Sequence, residues 1–299
     1  MKLISSLSIQ GVATTYIAYL RQDRRNIIEF VESTPPPYRD RMKKWVIILS
    51  SQIGCRMGCR FCDAANYYYG NLHTEEIIEQ VDYILTKNDH YSPDKTQKFK
   101  IQFARMGEPS LNMNVLDAML VIRTRFKNYI PCIATIAPSG SEEFFKRLLM
   151  IRDEFVDLQL QFSINSTDDK FRDFIMPAKK MSLEWISGYI DRFYKRDKRK
   201  PVLNFAIDSS DSVNPEVIKR IFDPRKCIVK LTPINPTQSA RRNIFDICEN
   251  SEIINSRLKR VASKLSDYGF ESIISIGDLR ENIVFSNCGQ IASFTGRQL

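Results

Sequence analysis

Cys55-Arg56-Met57-Gly58-Cys59-Arg60-Phe61-Cys62 places three cysteines at a C-x3-C-x2-C spacing, directly after the apolar run Trp45-Val46-Ile47-Ile48-Leu49. Thiolates are soft ligands, suited to zinc, copper(I) or iron–sulfur clusters. Structural zinc takes four ligands, usually in two separated pairs. No second pair follows here, and His73 and His90 are the only histidines. A [4Fe–4S] cluster is held by thiolates, and three of them leave one iron open to a further ligand. A zinc knuckle and three incidental cysteines are the competing readings.

Working outward, the run at 45–51 reads as a strand that delivers the cysteine loop. Thr74 then begins a helix, with Glu75 and Glu76 where carboxylates suit the dipole and Ile77, Ile78, Val81, Ile84 and Leu85 as its apolar stripe. Expected strands at 99–104, 132–136, 158–164, 202–208 and 227–232 alternate with expected helices at 115–124, 142–150, 183–193 and 215–222. A longer helix at 253–268, a short strand at 272–276 and an irregular tail close the chain. Alternating βαβ units make a parallel sheet. The sequence therefore predicts an α/β fold, a six-stranded partial barrel with active groups at the carboxyl ends of its strands. Upstream, 13–20 and 26–32 read as a hairpin, ended by Pro35-Pro36-Pro37. The expected division is a β-hairpin extension over 1–44 and a core over 45–299 that carries Cys288 in its tail.

A chain of 299 residues, 43% hydrophobic, is long enough for one such domain. No apolar run approaches the roughly 20 residues of a membrane helix. Met1-Lys2-Leu3-Ile4-Ser5-Ser6 lacks the apolar region of a signal peptide. A cytoplasmic monomer, with no membrane contact, is the expectation. Seven cysteines in this length do not suggest a disulfide scaffold. Forty-four Lys and Arg against 35 Asp and Glu leave a net charge of +9, which suits a polyanionic partner.

The strand-end rule then selects residues. After the second barrel strand comes Arg105-Met106-Gly107-Glu108-Pro109, where Gly107 permits close approach to the backbone and Glu108 offers a carboxylate to an ammonium group. Ala137-Pro138-Ser139-Gly140 follows the third strand, Ser163-Ile164-Asn165 ends the fourth, and Pro233-Ile234-Asn235-Pro236 follows the sixth. Any one of these could be ordinary turn chemistry. Four on one rim, beside a cysteine loop, point to a ligand site.

The cysteine spacing, with an aromatic residue before the last cysteine, resembles the radical S-adenosylmethionine (radical SAM) signature. Further residues resemble the RlmN/Cfr family of radical SAM RNA methyltransferases. They are Ser50 to Cys55, Asn71-Leu72, Glu76-Ile77, Gln80-Val81, Met106 to Pro109, Arg172, Ile175, Pro177, Lys179-Lys180, Pro233 to Pro236, and Cys288-Gly289-Gln290-Ile291. The resemblance covers most of the chain from about residue 13. It implies that Cys55, Cys59 and Cys62 ligate a [4Fe–4S] cluster and that Glu108, beside Gly107, binds the amino group of S-adenosylmethionine. It implies that Ser139, Ser163, Asn165 and Asn235 contact the rest of that cofactor, and that Cys288 is a methyl-carrying cysteine. One cofactor molecule would methylate Cys288. A second, reductively cleaved, would give a 5′-deoxyadenosyl radical that takes hydrogen from the thiomethyl group, and the carbon radical would add to C2 or C8 of an RNA adenine. The protein's part is to bind, orient and exclude side reactions. The implied partners are RNA (rRNA or tRNA) and an external electron donor such as flavodoxin or ferredoxin.

Three departures accompany the match. Where the family has a second catalytic cysteine, this chain has Ile48. Where the family has a histidine at the fourth strand's end, this chain has Asn165, which still offers a hydrogen bond. The family usually carries an N-terminal helical RNA-recognition domain, and this chain begins almost directly at the hairpin. The alternatives are a radical SAM enzyme acting on a peptide or small molecule, and an RNA-binding protein with a structural iron–sulfur cluster. Lys179, Lys180, Arg241 and Arg242 fall on the active rim as RNA contacts. The run Lys195 to Lys200 falls on the opposite face as a solvated loop. Cys132 and Cys227 read as buried thiols at the far rim, and Cys248 lies in the connection after the sixth strand. Tyr67-Tyr68-Tyr69 either stacks bases or covers the cluster.

Overall fold

The computed structural model describes residues 1–208, 212–243, 245, 252–287 and 291. Ten strands form one sheet in the order β1-β2-β3-β4-β7-β8-β9-β10-β11-β12. They are β1 (Lys2–Ile9), β2 (Ala13–Tyr19), β3 (Ile27–Ser33), β4 (Trp45–Leu49), β7 (Phe99–Phe103), β8 (Tyr129–Thr135), β9 (Gln159–Ser163), β10 (Val202–Ile207), β11 (Ile228–Pro233) and β12 (Ser272–Ile274). Two further strands, β5 (Gln52–Gly54) and β6 (Tyr68–Asn71), pair antiparallel as a separate hairpin around the cysteine loop. From β4 to β12 every pairing in the large sheet is parallel. From β1 to β4 every pairing is antiparallel.

The α/β partial barrel is therefore present, with a seventh short parallel strand after the expected six. The N-terminal part is a three-stranded meander continuous with the barrel sheet, and β2 and β3 share its hydrophobic core. β1 was not expected from the sequence. It is a sheet edge with most of its residues exposed on both faces, so its Ser-rich sequence shows no inside–outside alternation.

Helices cover the outer face. Ser182 caps the helix Leu183–Phe193, its Oγ accepting from the Trp185 N–H at 3.1 Å. The buried stripe of that helix, Leu183, Ile186, Tyr189, Ile190 and Phe193, includes Tyr189, which meets Phe145 edge-on at 4.8 Å. Phe145 in turn stacks on Phe162 of β9 at 5.9 Å. Burial of each such aromatic contributes roughly 1.5–3 kcal/mol.

The fully buried strand residues thus face the helices. The alternate positions face the barrel interior and stay partly exposed: Gln102, Gln161, Ser163, Asn204 and Thr232. Ile48 shares this inner face, in register with Val31 and Gln102. Cys132 is also on it, in register with Gln102 and mid-strand rather than at the far rim. Cys227 immediately precedes β11 and is buried. No described helix is long and apolar enough to cross a membrane.

Candidate active site

The cysteine loop leaves β4 and β5 at the barrel's carboxyl end. Gly54, at φ +74°, is obligatory because a Cβ there would lie 2.0 Å from the Tyr67 carbonyl oxygen. The Cys55 N–H donates to that same carbonyl at 2.8 Å. The Cys62 N–H closes a turn onto the Cys59 carbonyl at 3.1 Å. Cys55, Cys59 and Cys62 are all free thiols.

Burial pushes the Cys55 thiol up to about 12, against the opposing pull of the Met57 and Gly107 backbone N–H groups that point at its sulfur. Burial, then the neighbouring Cys62 and Cys55, push Cys59 well above its ordinary value. Thiols that burial keeps protonated become thiolates only if positive charge arrives with the ligand. Among the described residues, no three His, Cys, Asp or Glu side chains gather on a single ion. A single zinc ion would hold every sulfur at about 2.3 Å, whereas a [4Fe–4S] cluster spreads its thiolates over separate irons and accepts N–H···S bonds such as these. The donor set fits the cluster.

Two segments distant in sequence clamp the loop. Asp63 caps the short helix Gln238–Arg242, its Oδ1 accepting from the Ser239 N–H at 2.8 Å. Thr237 Oγ1 donates to the Phe61 carbonyl at 2.7 Å, and the Arg60 N–H donates to the Ile175 carbonyl at 2.9 Å.

Glu108 lies at the end of β7, beside the loop and buried. Its backbone N–H donates to Gln52 Oε1 at 2.9 Å. Its carboxylate accepts from the Ser110 N–H at 3.0 Å, from Ser110 Oγ at 2.8 Å and from the Ile136 N–H at 3.0 Å. Burial raises its affinity for a proton, and the hydrogen bonds from Thr135, Ile136 and Ser110 oppose that.

Gly107 has a different local reason from the expected ligand approach. At φ +97°, its missing Cβ would sit 2.5 Å from Gln52 Cβ. Gln52 also donates to Asn71 Oδ1 at 2.7 Å, and Asn112 Nδ2 donates to the Ser51 and Leu72 carbonyls at 2.7 and 2.9 Å. This amide network locks the Glu108 turn to the hairpin that holds the cysteines.

The other expected ligands fall at neighbouring strand ends. Ser139 is exposed beyond β8, and its N–H donates to the Lys179 carbonyl at 3.0 Å. Ser163 is the half-buried last residue of β9. Asn235 follows β11 and lines a cavity of about 120 Å³ shared with Asn255, Gly277 and Asn287. Asn165, at φ +62°, is buried; its Oδ1 accepts from the Ala206 N–H at 3.0 Å and its Nδ2 lies 3.2 Å from Met176 Sδ. Both ends of its amide are thus engaged within the fold. A larger cavity, about 400 Å³, lies away from this rim, beside Gly11, Glu32 and Arg39.

Lys180 corrects an expectation. Its side chain is 2% exposed, and its ammonium donates to Asp173 at 2.6 Å and to the Met176 carbonyl at 2.7 Å. It is buried near Cys59 and unavailable to RNA, while Lys179, Arg241 and Arg242 remain exposed. Tyr67 bonds the Ile27 carbonyl at 3.3 Å, while Tyr68 and Tyr69 are exposed. Each cation of the run 195–200 that has a carboxylate partner is held at the surface: Lys195 by Asp153, Arg199 by Asp157 and Lys200 by Glu271.

Cys288, Gly289, Gln290 and Cys248 lie outside the described residues. The segment leading to Cys288 is described, and it docks on the barrel's inner face. Val284 packs with Val12, Ala13, Val31 and Ile48, and its carbonyl accepts from Thr15 Oγ1 at 2.6 Å. Arg105, two residues past the end of β7, donates to the carbonyls of Phe285 (2.6 Å) and Asn287. Its guanidinium is ion-paired with Glu29, both side chains being at most 1% exposed. Neither Arg105 nor Glu29 stood out in the sequence, and only the arginine before Met106-Gly107-Glu108 could have prompted the question.

A parallel open barrel with a three-cysteine loop after its first strand and a buried glutamate after the next resembles the arrangement of radical SAM proteins. A radical SAM methyltransferase from Sphaerobacter thermophilus has a similar structure: TM-score 0.69, 21% identity, covering 92% of this chain and 76% of that one. Streptococcus suis SuiB bound to S-adenosylmethionine shares the fold at TM-score 0.52 and 14% identity, over 77% of this chain and 50% of that one. No protein-family model matches the chain. In sequence, the chain is similar to the dual-specificity RNA methyltransferase RlmN. It is 29% identical to that of Helicobacter hepaticus over 256 residues, 82% of this chain and 67% of the relative. It is 26% identical to that of a Sulfurovum species over 249 residues, 80% of this chain and 67% of the relative.

Proposed function

We propose that this chain is a radical SAM methyltransferase that modifies an adenosine carbon in RNA by way of a methylated Cys288. One observation carries the reading: Arg105 holds the backbone of Asn287, the residue bonded to Cys288, at the strand end that also presents Glu108 and the cysteine loop. Consecutive Cα atoms are about 3.8 Å apart, so the tail is anchored one residue from the carrier thiol. The homology to RlmN supports RNA over the peptide or small-molecule alternative, since the likeness to SuiB is one of fold.

Cys55, Cys59 and Cys62 would hold the [4Fe–4S] cluster, whose chemistry is one-electron reductive cleavage of S-adenosylmethionine. Glu108, already oriented by Ser110 and the Ile136 N–H, accepts a hydrogen bond from the cofactor's ammonium group. The glycine at 107 and the Gln52 amide keep that carboxylate from swinging away. Ser139, Ser163 and Asn235 contact the remainder of the cofactor from the ends of β8, β9 and β11. The partly exposed inner wall, with Gln102, Gln161 and Asn204, supplies hydrogen-bonding groups for a base. Ile48 faces the same interior, carries no ionisable group and can neither take a proton nor attack the carrier sulfur. Release of product therefore needs another thiol or another ending.

The test begins with protein purified without oxygen. It is expected to be brown, to contain iron, and once reduced to convert S-adenosylmethionine to 5′-deoxyadenosine, with both properties lost when Cys55, Cys59 and Cys62 are changed to alanine. Peptide mass spectrometry is expected to find methyl on Cys288, and nucleoside mass spectrometry to find a methyladenosine in RNA that depends on the gene. Tightly bound zinc with no iron would overturn the whole reading. Iron and cofactor cleavage without methyl on Cys288 would favour a different substrate.

A further inference from the structure

The end of the barrel opposite the cysteine loop carries a group of cations that the chemistry above does not use. Lys44 immediately precedes β4, and Lys98 immediately precedes β7. Their ammonium groups lie 5.3 and 5.4 Å from the centroid of the Tyr38 ring, and Lys98 Nζ is 3.2 Å from the Tyr38 hydroxyl. Lys100 of β7 and Lys230 of β11 occupy half-buried positions on the inner face, on separate walls of the barrel. Lys44 is itself half-buried.

Burial, and after it the positive charges of Lys100, Lys98, Arg199 and Lys230, lower the affinity of Lys44 for a proton. Arg199 is partly neutralised by Asp157 at 2.7 Å. Crowding like charges around a half-desolvated ammonium opposes folding and raises the local potential, and a bound anion relieves both effects.

We propose that this N-terminal mouth of the barrel is where the phosphate backbone of the RNA substrate docks. The inference rests on the RNA reading above and adds the place of binding. The cofactor groups and the tail segment at Phe285–Asn287 occupy the carboxyl end. A nucleotide that reaches the interior past Lys100 and Lys230 would leave its flanking phosphates at Lys44 and Lys98, with Tyr38 between them as a platform for a neighbouring base or sugar. This differs from docking at the cofactor rim, where Lys179 and Arg242 are among the exposed cations.

The experiment measures binding of a short adenosine-containing RNA hairpin to the full chain across a series of salt concentrations. Compared are wild-type protein, the triple variant Lys44→Gln/Lys98→Gln/Lys100→Gln, the triple arginine variant at the same positions, and the rim variant Lys179→Gln/Arg242→Gln. Each single-strand phosphate contact contributes about 0.7 to the slope of log affinity against log salt, so loss of the two at Lys44 and Lys98 makes the slope shallower by roughly 1.4. The glutamine triple is expected to show that change and weaker binding. The arginine triple should keep the wild-type slope, and the rim variant should change little. A wild-type slope in the glutamine triple, or loss of binding only in the rim variant, overturns the proposal and leaves the methyltransferase reading standing. Wild-type protein that cleaves S-adenosylmethionine and binds no RNA overturns the proposal together with the RNA assignment.

Discussion

Arg105→Met tests how the tail is held. In the native protein the Arg105 guanidinium faces Glu29 with both side chains at most 1% exposed, and it also donates to the Phe285 and Asn287 carbonyls. Methionine keeps most of the volume and removes the cation, so the Glu29 carboxylate loses its buried counter-charge. Breaking one side of a buried pair costs about 3–5 kcal/mol, which is a large share of the 5–15 kcal/mol typical of a folded domain. Hydrogen bonds from a charged donor contribute about 1.5–3 kcal/mol each, and these overlap with the pair term rather than adding to it. The expected result is a global loss of about 3–5 kcal/mol in denaturant unfolding. Faster hydrogen exchange is expected at the amides of 284–287, together with slower methyl loading of Cys288. Arg105→Lys keeps the charge but not the planar fork, and it should recover stability more fully than tail protection. A loss below about 1 kcal/mol, the range of exposed pairs, with unchanged exchange at 284–287, would refute the reasoning.

Gly107→Ala places a Cβ 2.5 Å from Gln52 Cβ at φ +97°, so it should lower the unfolding temperature and weaken S-adenosylmethionine binding, read by calorimetry, because the Glu108 turn must move. Strain of this kind costs about 1–3 kcal/mol. Ile48→Cys puts a thiol on the inner face next to the segment that leads to Cys288, and it should raise multiple turnover and lower any protein–RNA adduct seen on denaturing gels. Rapid turnover and no adduct in wild-type protein, unaffected by replacing Cys132, Cys227 and Cys248 together, would show that no second cysteine is needed. Arg280, with Arg39 nearby, holds the Asp278 carboxyl at about 2. An ordinary aspartate titrates at about 3.9, so this group stabilises the fold above that value and the contribution is lost as pH falls through the folded one. Asp278→Asn should therefore unfold more readily than wild type at neutral pH, with the difference vanishing near pH 2.

The chain's local patterns determined a good deal by themselves. Cysteine spacing, the alternation of buried and open positions in strands, and the stripe of the helix Leu183–Phe193 all act over a few residues, so they can be read without partners. They were enough for a parallel α/β barrel with a three-cysteine loop after its first strand and Glu108 after the next. Tertiary structure decided what faces what. Glu108 meets Gln52 across 56 positions, Arg105 meets Glu29 across 76, and Asp63 meets Ser239 across 176. Glu29, Arg105 and Asp63 look like ordinary surface or loop residues until the chain closes around them. The same closure buried Lys180, engaged the Asn165 amide, placed Cys132 on the inner wall and gathered lysines from separate strands around Lys44. Hydrogen bonds and charges act through space at a few ångströms, and separation along the chain carries no trace of that distance.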